Sequence, residues 1–354
     1  MIHGVHPAPT ADLPHLFSSR EALTLSFEEG LRRQAALPGI GTFILTLANA
    51  SADPLLWDPL RPQLADRFAT LADQCRQSLR TGQPLSMPED DLIVFLKLTL
   101  IGFNDLETTQ IRQEGPWEIQ YNPLRALRPA RASTQKQIDA LPPPFSEAGF
   151  HFNKPFLRPE ILWEGMLLRH PVRLLYNKFP FAPLHGLLVP VPERGLPQQL
   201  QQEWHLFAWH ACQSLGQDIA GFKIAYNSFG AQASVNHLHF QTCVRDTPLP
   251  IESAHWQHNG GAVPYPIACH CFTDPLDAWF CIDHLQRSHQ PFNLIYAPGQ
   301  FYCLPRKPQG NHPKPDWSPG HAWYEMAGGM TTFNRIDFDR LRATDLRDAL
   351  AQVA

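Results

Sequence analysis

The residues richest in chemistry lie in one run, Tyr226-Asn227-Ser228-Phe229-Gly230-Ala231-Gln232-Ala233-Ser234-Val235-Asn236-His237-Leu238-His239-Phe240-Gln241. Read as a strand over Val235 to Val244, alternate side chains share a face. That places His237, His239 and Gln241 on one side and Leu238 and Phe240 on the other. Burying two imidazoles and a carboxamide is unfavourable unless each is hydrogen-bonded or used. Three readings compete: a satisfied structural pair of histidines, a metal shared by alternate histidines, and nucleophilic catalysis at phosphorus. For the metal, no nearby carboxylate or cysteine completes a shell. The third reading is favoured. Neutral imidazole is a good nucleophile near pH 7, because its unperturbed pKa is about 6.5. A neighbouring histidine can set its tautomer, and a glutamine amide can donate to phosphoryl oxygens as charge builds.

The elements that must hold this run read as follows. Residues 12 to about 103 read as helical. One helix opens at Ser19-Arg20-Glu21 and runs through Glu28, Glu29 and Arg32; others span Asp58–Arg80 and Pro88–Phe103. From 104 to 160 the pattern is extended and broken, with Arg125, Arg128 and Arg131 among prolines as a solvated loop or a phosphate contact. Strands are expected over 172–177 and 186–191, joined by a loop holding Pro180 and Pro183. An amphipathic helix follows over Pro197–Gln217, with Leu200, Trp204, Phe207, Ala208 and Ala211 at helical spacing. Further strands are expected over 222–227 and 235–244. Phe292–Ala297 and Phe301–Arg306 echo the first strand pair, and Ala322–Met330 echoes the region of the last pair. One unit therefore reads as duplicated, the second copy lacking the histidines.

Composition sets the outer limits. The chain has 354 residues, 44% of them hydrophobic, with a formal net charge of −4. The hydrophobic share rules out wholesale disorder, and the mild acidity argues against a nucleic-acid partner. Proline, at 35 residues, is about twice its ordinary usage, which disfavours an all-helical bundle. The longest apolar stretch, Leu92 to Phe103, contains Lys97 and is about half of what a membrane span needs, so it reads as a buried helix. The opening Met1-Ile2-His3-Gly4-Val5-His6 has no basic region followed by an apolar core, so no secretory signal is expected. Seven scattered cysteines read as free thiols in a reducing cytoplasm. Cys269-His270-Cys271 is too tightly spaced for a two-cysteine zinc knuckle and reads as a structural loop.

His237-Leu238-His239-Phe240-Gln241 resembles the H-x-H-x-Q signature of the nucleotidyltransferase branch of the histidine-triad superfamily. That branch includes galactose-1-phosphate uridylyltransferases, diadenosine tetraphosphate phosphorylases and GDP-hexose phosphorylases. The run from Tyr226 to Gln241 looks most like the GDP-L-galactose/GDP-D-glucose phosphorylase type. Upstream, Asn177-Lys178-Phe179-Pro180, His185 and Leu188-Val189-Pro190 resemble the superfamily's N-x-x-P-x-x-x-G-H-x-L-V-x-P strand pair. Leu184 stands there in place of the glycine, as in the diadenosine phosphorylases. Phe152-Asn153-Lys154 resembles a segment of the GDP-hexose phosphorylases. Trp323 to Met330 resembles their W-E-I-S-G-H-M segment, with Gly329 in place of histidine. The resemblance covers roughly 150 to 335.

The resemblance implies roles. His239 is the nucleophile, Gln241 binds the phosphoryl oxygens, and His237 orients the site. Glutamine in place of a third histidine marks transfer to phosphate acceptors. In the uridylyltransferases the His237 position can bind structural zinc, but the accompanying N-terminal cysteines are not evident. His185 is expected beside the pair. Asn177 and Lys154 are candidates for phosphate or ribose. In the loop before the motif, Asn227, Ser228, Gly230 and Ser234 are substrate-binding candidates, since small residues let backbone amides approach phosphate. Arg306 and Lys307 are weaker phosphate candidates.

The expected fold is α+β: duplicated histidine-triad-like antiparallel sheets with packed helices, preceded by a helical N-terminal region. The expected division is 1–103 helical, 104–250 catalytic half and 251–354 degenerate second half. The expected activity is phosphorolysis of a nucleoside-diphosphate sugar, GDP-hexose first, through a nucleotidyl-histidine. The alternatives are a diadenosine polyphosphate phosphorylase, a sugar-1-phosphate nucleotidyltransferase, and a non-catalytic nucleotide-binding protein. Inorganic phosphate is the expected co-substrate. A divalent metal such as zinc stays open, as does a homodimer; no nucleic-acid or membrane partner is expected.

Overall fold

The computed structural model describes residues 13–85, 88–128 and 141–354. The N-terminal hexapeptide and Arg131 lie outside them. The helical region consists of α1 (Arg20–Ala36), α2 (Ile40–Ala52), α3 (Pro54–Thr81) and α4 (Glu89–Ile101). Helix α1 opens where expected, because the Ser19 hydroxyl accepts the Ala22 amide at 3.1 Å as an N-cap. Helix α3 begins four residues before the expected Asp58. Asp53 caps it by accepting the Leu55 amide at 2.9 Å, and Pro54 occupies the first turn. It also carries Pro59 and Pro62 internally, both within the expected helix. Helix α2 has no polar face for a periodicity reading to find. Ten of its 13 residues are buried. The apolar run of α4 is only half buried: Val94, Phe95 and Leu98 face inward, while Leu96 and Leu100 are exposed. No described helix is long and apolar enough to cross a membrane.

The rest is sheet and its covering layers. In chain order the elements are β1 (Gln110–Glu114), β2 (Trp117–Tyr121), β3 (Ile161–Leu167), β4 (His170–Tyr176), β5 (Gly186–Pro190), α5 (Gln202–Asp218), β6 (Phe222–Asn227) and β7 (Phe240–Val244). There follow β8 (His270–Phe272), α6 (Pro275–Arg287), β9 (Phe292–Ala297), β10 (Gln300–Pro305), α7 (Trp323–Met326), β11 (Gly329–Thr332), α8 (Arg335–Arg340) and α9 (Ala343–Ala351). Eight strands form one antiparallel sheet in the order β3-β4-β5-β7-β6-β9-β10-β8. The expected strand, strand, helix, strand, strand order is met by β4, β5, α5, β6 and β7. The echo strands become β9 and β10, and β9 pairs with β6, so the sheet is continuous. The architecture is α+β with a helical N-terminal region.

Two expectations change. The stretch from 104 to 160 contains the β1–β2 hairpin, which joins β11 in a second, three-stranded sheet. Residues 322–330 form α7 and the start of β11 there, not a copy of the last strand pair of the large sheet. Cys269-His270-Cys271 runs into edge strand β8, and all seven cysteines are free thiols.

Each face of the large sheet is covered by an apolar layer. Trp204, Phe207, Ala211 and Leu215 of α5 and Ala278, Ile282 and Leu285 of α6 pack on Tyr226, Leu238, Phe240 and Leu294. On the other face, Ala225, Cys243 and Ile295 meet Trp117, Ile119, Trp323, Tyr324 and Met326. Fully burying such a side chain contributes about 1.5–3 kcal/mol. The N-terminal helices pack on the end of β4, where the Tyr176 hydroxyl donates to the Phe27 carbonyl at 2.9 Å. Asn49 Nδ2 donates to the Asn177 carbonyl at 3.0 Å, and Lys178 pairs with Asp91 at 2.6 Å.

One glycine fixes the entry into β6. Gly221 has φ +82°, and a Cβ there would lie 1.9 Å from the Arg245 carbonyl oxygen. Backbone cannot swing aside as a side chain can. Gly221→Ala is therefore expected to lower stability by about 2–3 kcal/mol, read as a lower urea midpoint at unchanged slope.

Candidate active site

The histidine run is shaped by a distant glutamine. Gln198, 1% exposed, donates from Nε2 to the carbonyls of Asn227 (3.0 Å) and His239 (3.1 Å). Its Oε1 accepts the His239 amide at 2.9 Å, and the Leu238 amide donates to the Leu196 carbonyl at 2.7 Å. These bonds occupy backbone groups that a strand would offer its neighbours. Strand β7 therefore starts at Phe240, and the expected strand over 235–239 is a loop.

The bonding of the two histidines assigns their tautomers. His239 Nδ1 lies 2.8 Å from the His237 carbonyl, an acceptor only, so Nδ1 carries the proton and Nε2 the lone pair. That Nε2 accepts no hydrogen bond among the described residues, and it is not sealed from water as the ring nitrogens of His321 are. His239 is 5% exposed, and the Phe152 ring lies 5.0 Å from its ring, edge-on. His237 uses both nitrogens. Nδ1 accepts the Phe152 amide at 3.1 Å, so Nε2 donates to the Pro192 carbonyl at 3.2 Å. Burial pushes both imidazoles down to about 4, opposed at each by its bond to a carbonyl. Both are neutral at pH 7.

Gln241 is held by two donors. Trp323 Nε1 donates to its Oε1 at 2.8 Å. His185 Nδ1 accepts the Phe181 amide at 3.2 Å, so its Nε2 carries the proton and donates to the same Oε1 at 2.9 Å. The Gln241 Nε2 amino group makes no hydrogen bond among the described residues and is left free to donate. Burial holds His185 at about 3 and thus neutral. Asn177 sits against it, with Nδ2 3.1 Å from His185 Nε2 and Oδ1 accepting the Phe179 amide at 3.0 Å. Leu184, which precedes His185, has φ +48°. A glycine adopts that conformation freely, which accounts for the glycine in the motif this strand pair resembles.

The structure gathers His239 and His237 at the Phe152 turn, and Gln241, His185 and Asn177 beside Trp323. Other expected residues have different positions. Asn227 is buried, and its Oδ1 accepts Asn293 Nδ2 (2.7 Å) and the Trp323 amide (3.0 Å). The Ser228 hydroxyl accepts the Phe292 amide at 2.9 Å. Both side-chain oxygens therefore tie the large sheet together. Gly230 is a left-handed turn residue, φ +79°, whose carbonyl accepts the Gln309 amide. Ser234 is exposed. Lys154 Nζ donates to the Glu147 carbonyl at 2.6 Å, beside the Phe152 turn.

Among the arginines, Arg125 donates to the Phe179 carbonyl at 2.7 Å and lies over the Phe181 ring at 4.2 Å. Burial lowers it to about 9. It is neither a plain solvated loop residue nor a demonstrated phosphate contact. Arg306 is buried and bonded to the carbonyls of Lys307 and His321. Sequence reasoning missed Gln198 and Trp323 as site residues: Gln198 lies in no chemically suggestive run, and Trp323 stood out only as the start of the Trp323–Met330 segment, with no role attached.

Zinc at the His237 position does not fit, because both ring nitrogens are already bonded to backbone. No group of three histidine, cysteine or acidic side chains placed for a metal occurs among the described residues.

With this geometry in place, similarity to known proteins can be located on it. Residues 102–243 match the family model described as GDPGP1-like, N-terminal domain. GDP-D-glucose phosphorylase 1 of Macaca fascicularis is 33% identical over 151 residues, 38% of this chain and 36% of that protein. GDP-L-galactose phosphorylase 1 of Arabidopsis thaliana is 36% identical over 84 residues, 24% of this chain and 19% of that protein. The chain thus spans only about a third, or less, of these curated relatives. The crystal structure of yeast Ap4A phosphorylase Apa2 aligns with 76% of this chain and 95% of its own, at 16% identity and a TM-score of 0.49. The family-matched segment contains Lys154, Asn177, His185 and the whole run from His237 to Gln241, and over it the chain resembles the GDP-D-glucose and GDP-L-galactose phosphorylases.

Proposed function

We propose that this protein is a nucleotidyltransferase that cleaves a nucleoside-diphosphate sugar, GDP-hexose first, with inorganic phosphate. His239 Nε2 attacks the α-phosphorus. The bond from that phosphorus to the bridging oxygen breaks, and sugar 1-phosphate leaves with the electron pair. An oxygen of inorganic phosphate then attacks the nucleotidyl-histidine, the P–N bond breaks, and the nucleoside diphosphate is released. Two displacements give net retention at phosphorus. The Gln241 amino group donates to the phosphoryl oxygens as charge develops, and His237 fixes the site by pinning the Phe152 and Pro192 segments. Asn177 and Lys154 border the substrate, with Gly230 and Ser234 in the loop before the motif, while Asn227 and Ser228 hold that loop to the sheet. The reaction takes place in the cytoplasm, with 104–250 as the catalytic half and 251–354 as the second, degenerate half.

The observation that carries this reading is the His239 tautomer, with its lone pair directed away from the carbonyl that holds it. Mass spectrometry of the protein mixed with GDP-hexose tests it. One nucleoside monophosphate should appear on His239 and be discharged by inorganic phosphate as nucleoside diphosphate. Diadenosine polyphosphate as the charging substrate would support the second reading, which Asn177-Lys178-Phe179 and Leu184 favour. Nucleotide binding with no adduct from either substrate would favour a non-catalytic role.

The pH dependence follows from the depressed imidazole. The neutral form of His239 is the nucleophile, and its pKa lies at about 4. Single-turnover nucleotidylation should stay flat from pH 8 to about pH 5 and fall only as pH approaches 4. An unperturbed histidine would begin to lose rate near pH 6.5.

A further inference from the structure

We infer that Trp323, from the half of the chain that lacks the His-x-His-x-Gln motif, is a positioning residue for Gln241, an inference that rests on the proposed role of that glutamine. A primary amide has two ends of similar shape, so a bare glutamine can present either oxygen or nitrogen to a phosphoryl group. Presenting oxygen would be repulsive. An indole N–H donates and never accepts, so its 2.8 Å contact admits only the Gln241 oxygen at that place. His185 Nε2 donates to the same oxygen at 2.9 Å, so two donors, of which the indole is one, turn the amino group the other way.

The tryptophan is itself held. Its backbone amide donates to Asn227 Oδ1 at 3.0 Å, and that oxygen also accepts Asn293 Nδ2 at 2.7 Å. The indole is 1% exposed and packs against Phe181 at 5.4 Å. Asn227 ends β6, and Asn293 lies on β9. The junction between β6 and β9 thus sets the indole, and the indole sets the amide. This gives Asn227 a place in the site without contact to substrate.

Trp323→Phe removes the N–H and keeps an aromatic ring against Phe181. The rate of nucleotidylation should fall about tenfold, the order expected for one lost hydrogen bond, with KM for the nucleotide sugar changed less than about twofold. In a Gln241→Ala background the same change should cost less than about twofold, because the group it orients is gone. A full tenfold loss in both backgrounds would show that the ring acts elsewhere and would overturn the inference, as would wild-type rate in Trp323→Phe. A readout independent of activity is the indole N–H resonance in the 15N-tryptophan-labelled full chain. The resonance missing from Trp323→Phe should move in Gln241→Ala. An unmoved resonance overturns the inference even with the chemistry intact. A moved resonance without any nucleotidyl adduct in the unaltered protein would instead refute the proposed function and leave the contact standing.

Discussion

His239→Asn is expected to abolish nucleotidyl transfer, lowering the rate of adduct formation by about four orders of magnitude or more. Asparagine suits the test because its Nδ2 can occupy the place of imidazole Nδ1 and keep a bond to the His237 carbonyl. What it lacks is the lone pair at Nε2. The fold and the bond that holds the side chain should both survive, so nucleotide-sugar binding by calorimetry should stay near that of the unaltered chain. The nucleoside monophosphate adduct should be absent on mass analysis. Substantial turnover by this variant would show that another group attacks phosphorus.

Glu118→Ala is expected to cost about 3–5 kcal/mol of stability, the range for breaking a buried ion pair on one side. Glu118 on β2 is 2% exposed and Arg245, just past β7, is 5% exposed. Arg245 Nη2 donates to Glu118 Oε2 at 2.7 Å, and the Tyr324 hydroxyl of α7 donates to Oε1. One carboxylate thus joins the small sheet, the end of β7 and the turn that carries Trp323. Removing it leaves a guanidinium buried without its counter-ion. Glu118→Ala with Arg245→Met should recover part of the loss, since neither charge is then stranded. Urea unfolding of the three variants checks this. A double variant no more stable than Glu118→Ala would mean that the lost contacts, not the stranded charge, cause the damage.

The parts of this molecule legible in the sequence were those with local causes. Phe222–Asn227 and Phe292–Ala297 form strands at the expected residues because each is a short apolar run closed by a turn. The Ser19 cap marked α1 for the same reason. The histidine run stood out as a candidate site because two imidazoles and an amide at alternate positions need partners or a use. Contacts between remote segments explain the rest. Val235 to His239 alternates like a strand, and what prevents one is Gln198, 41 residues away. Trp323 owes its place in the site to a bond across 82 residues. Helix α2 carries no periodic signal because nearly every side of it is covered. Asn227 and Ser228 sit beside the motif as expected, but only the partners on β9 reveal that they bind the sheet.

The group that holds His239 in its reactive tautomer is a main-chain carbonyl two residues earlier. Enzymes that orient a histidine with a carboxylate can lose that control through one side-chain change, as substituting the aspartate of a serine protease shows. Here any amino acid at position 237 brings the same oxygen. Mutation can disturb the proton of the proposed nucleophile only by rerouting the peptide itself, so this part of the candidate site is inherited with the course of the backbone.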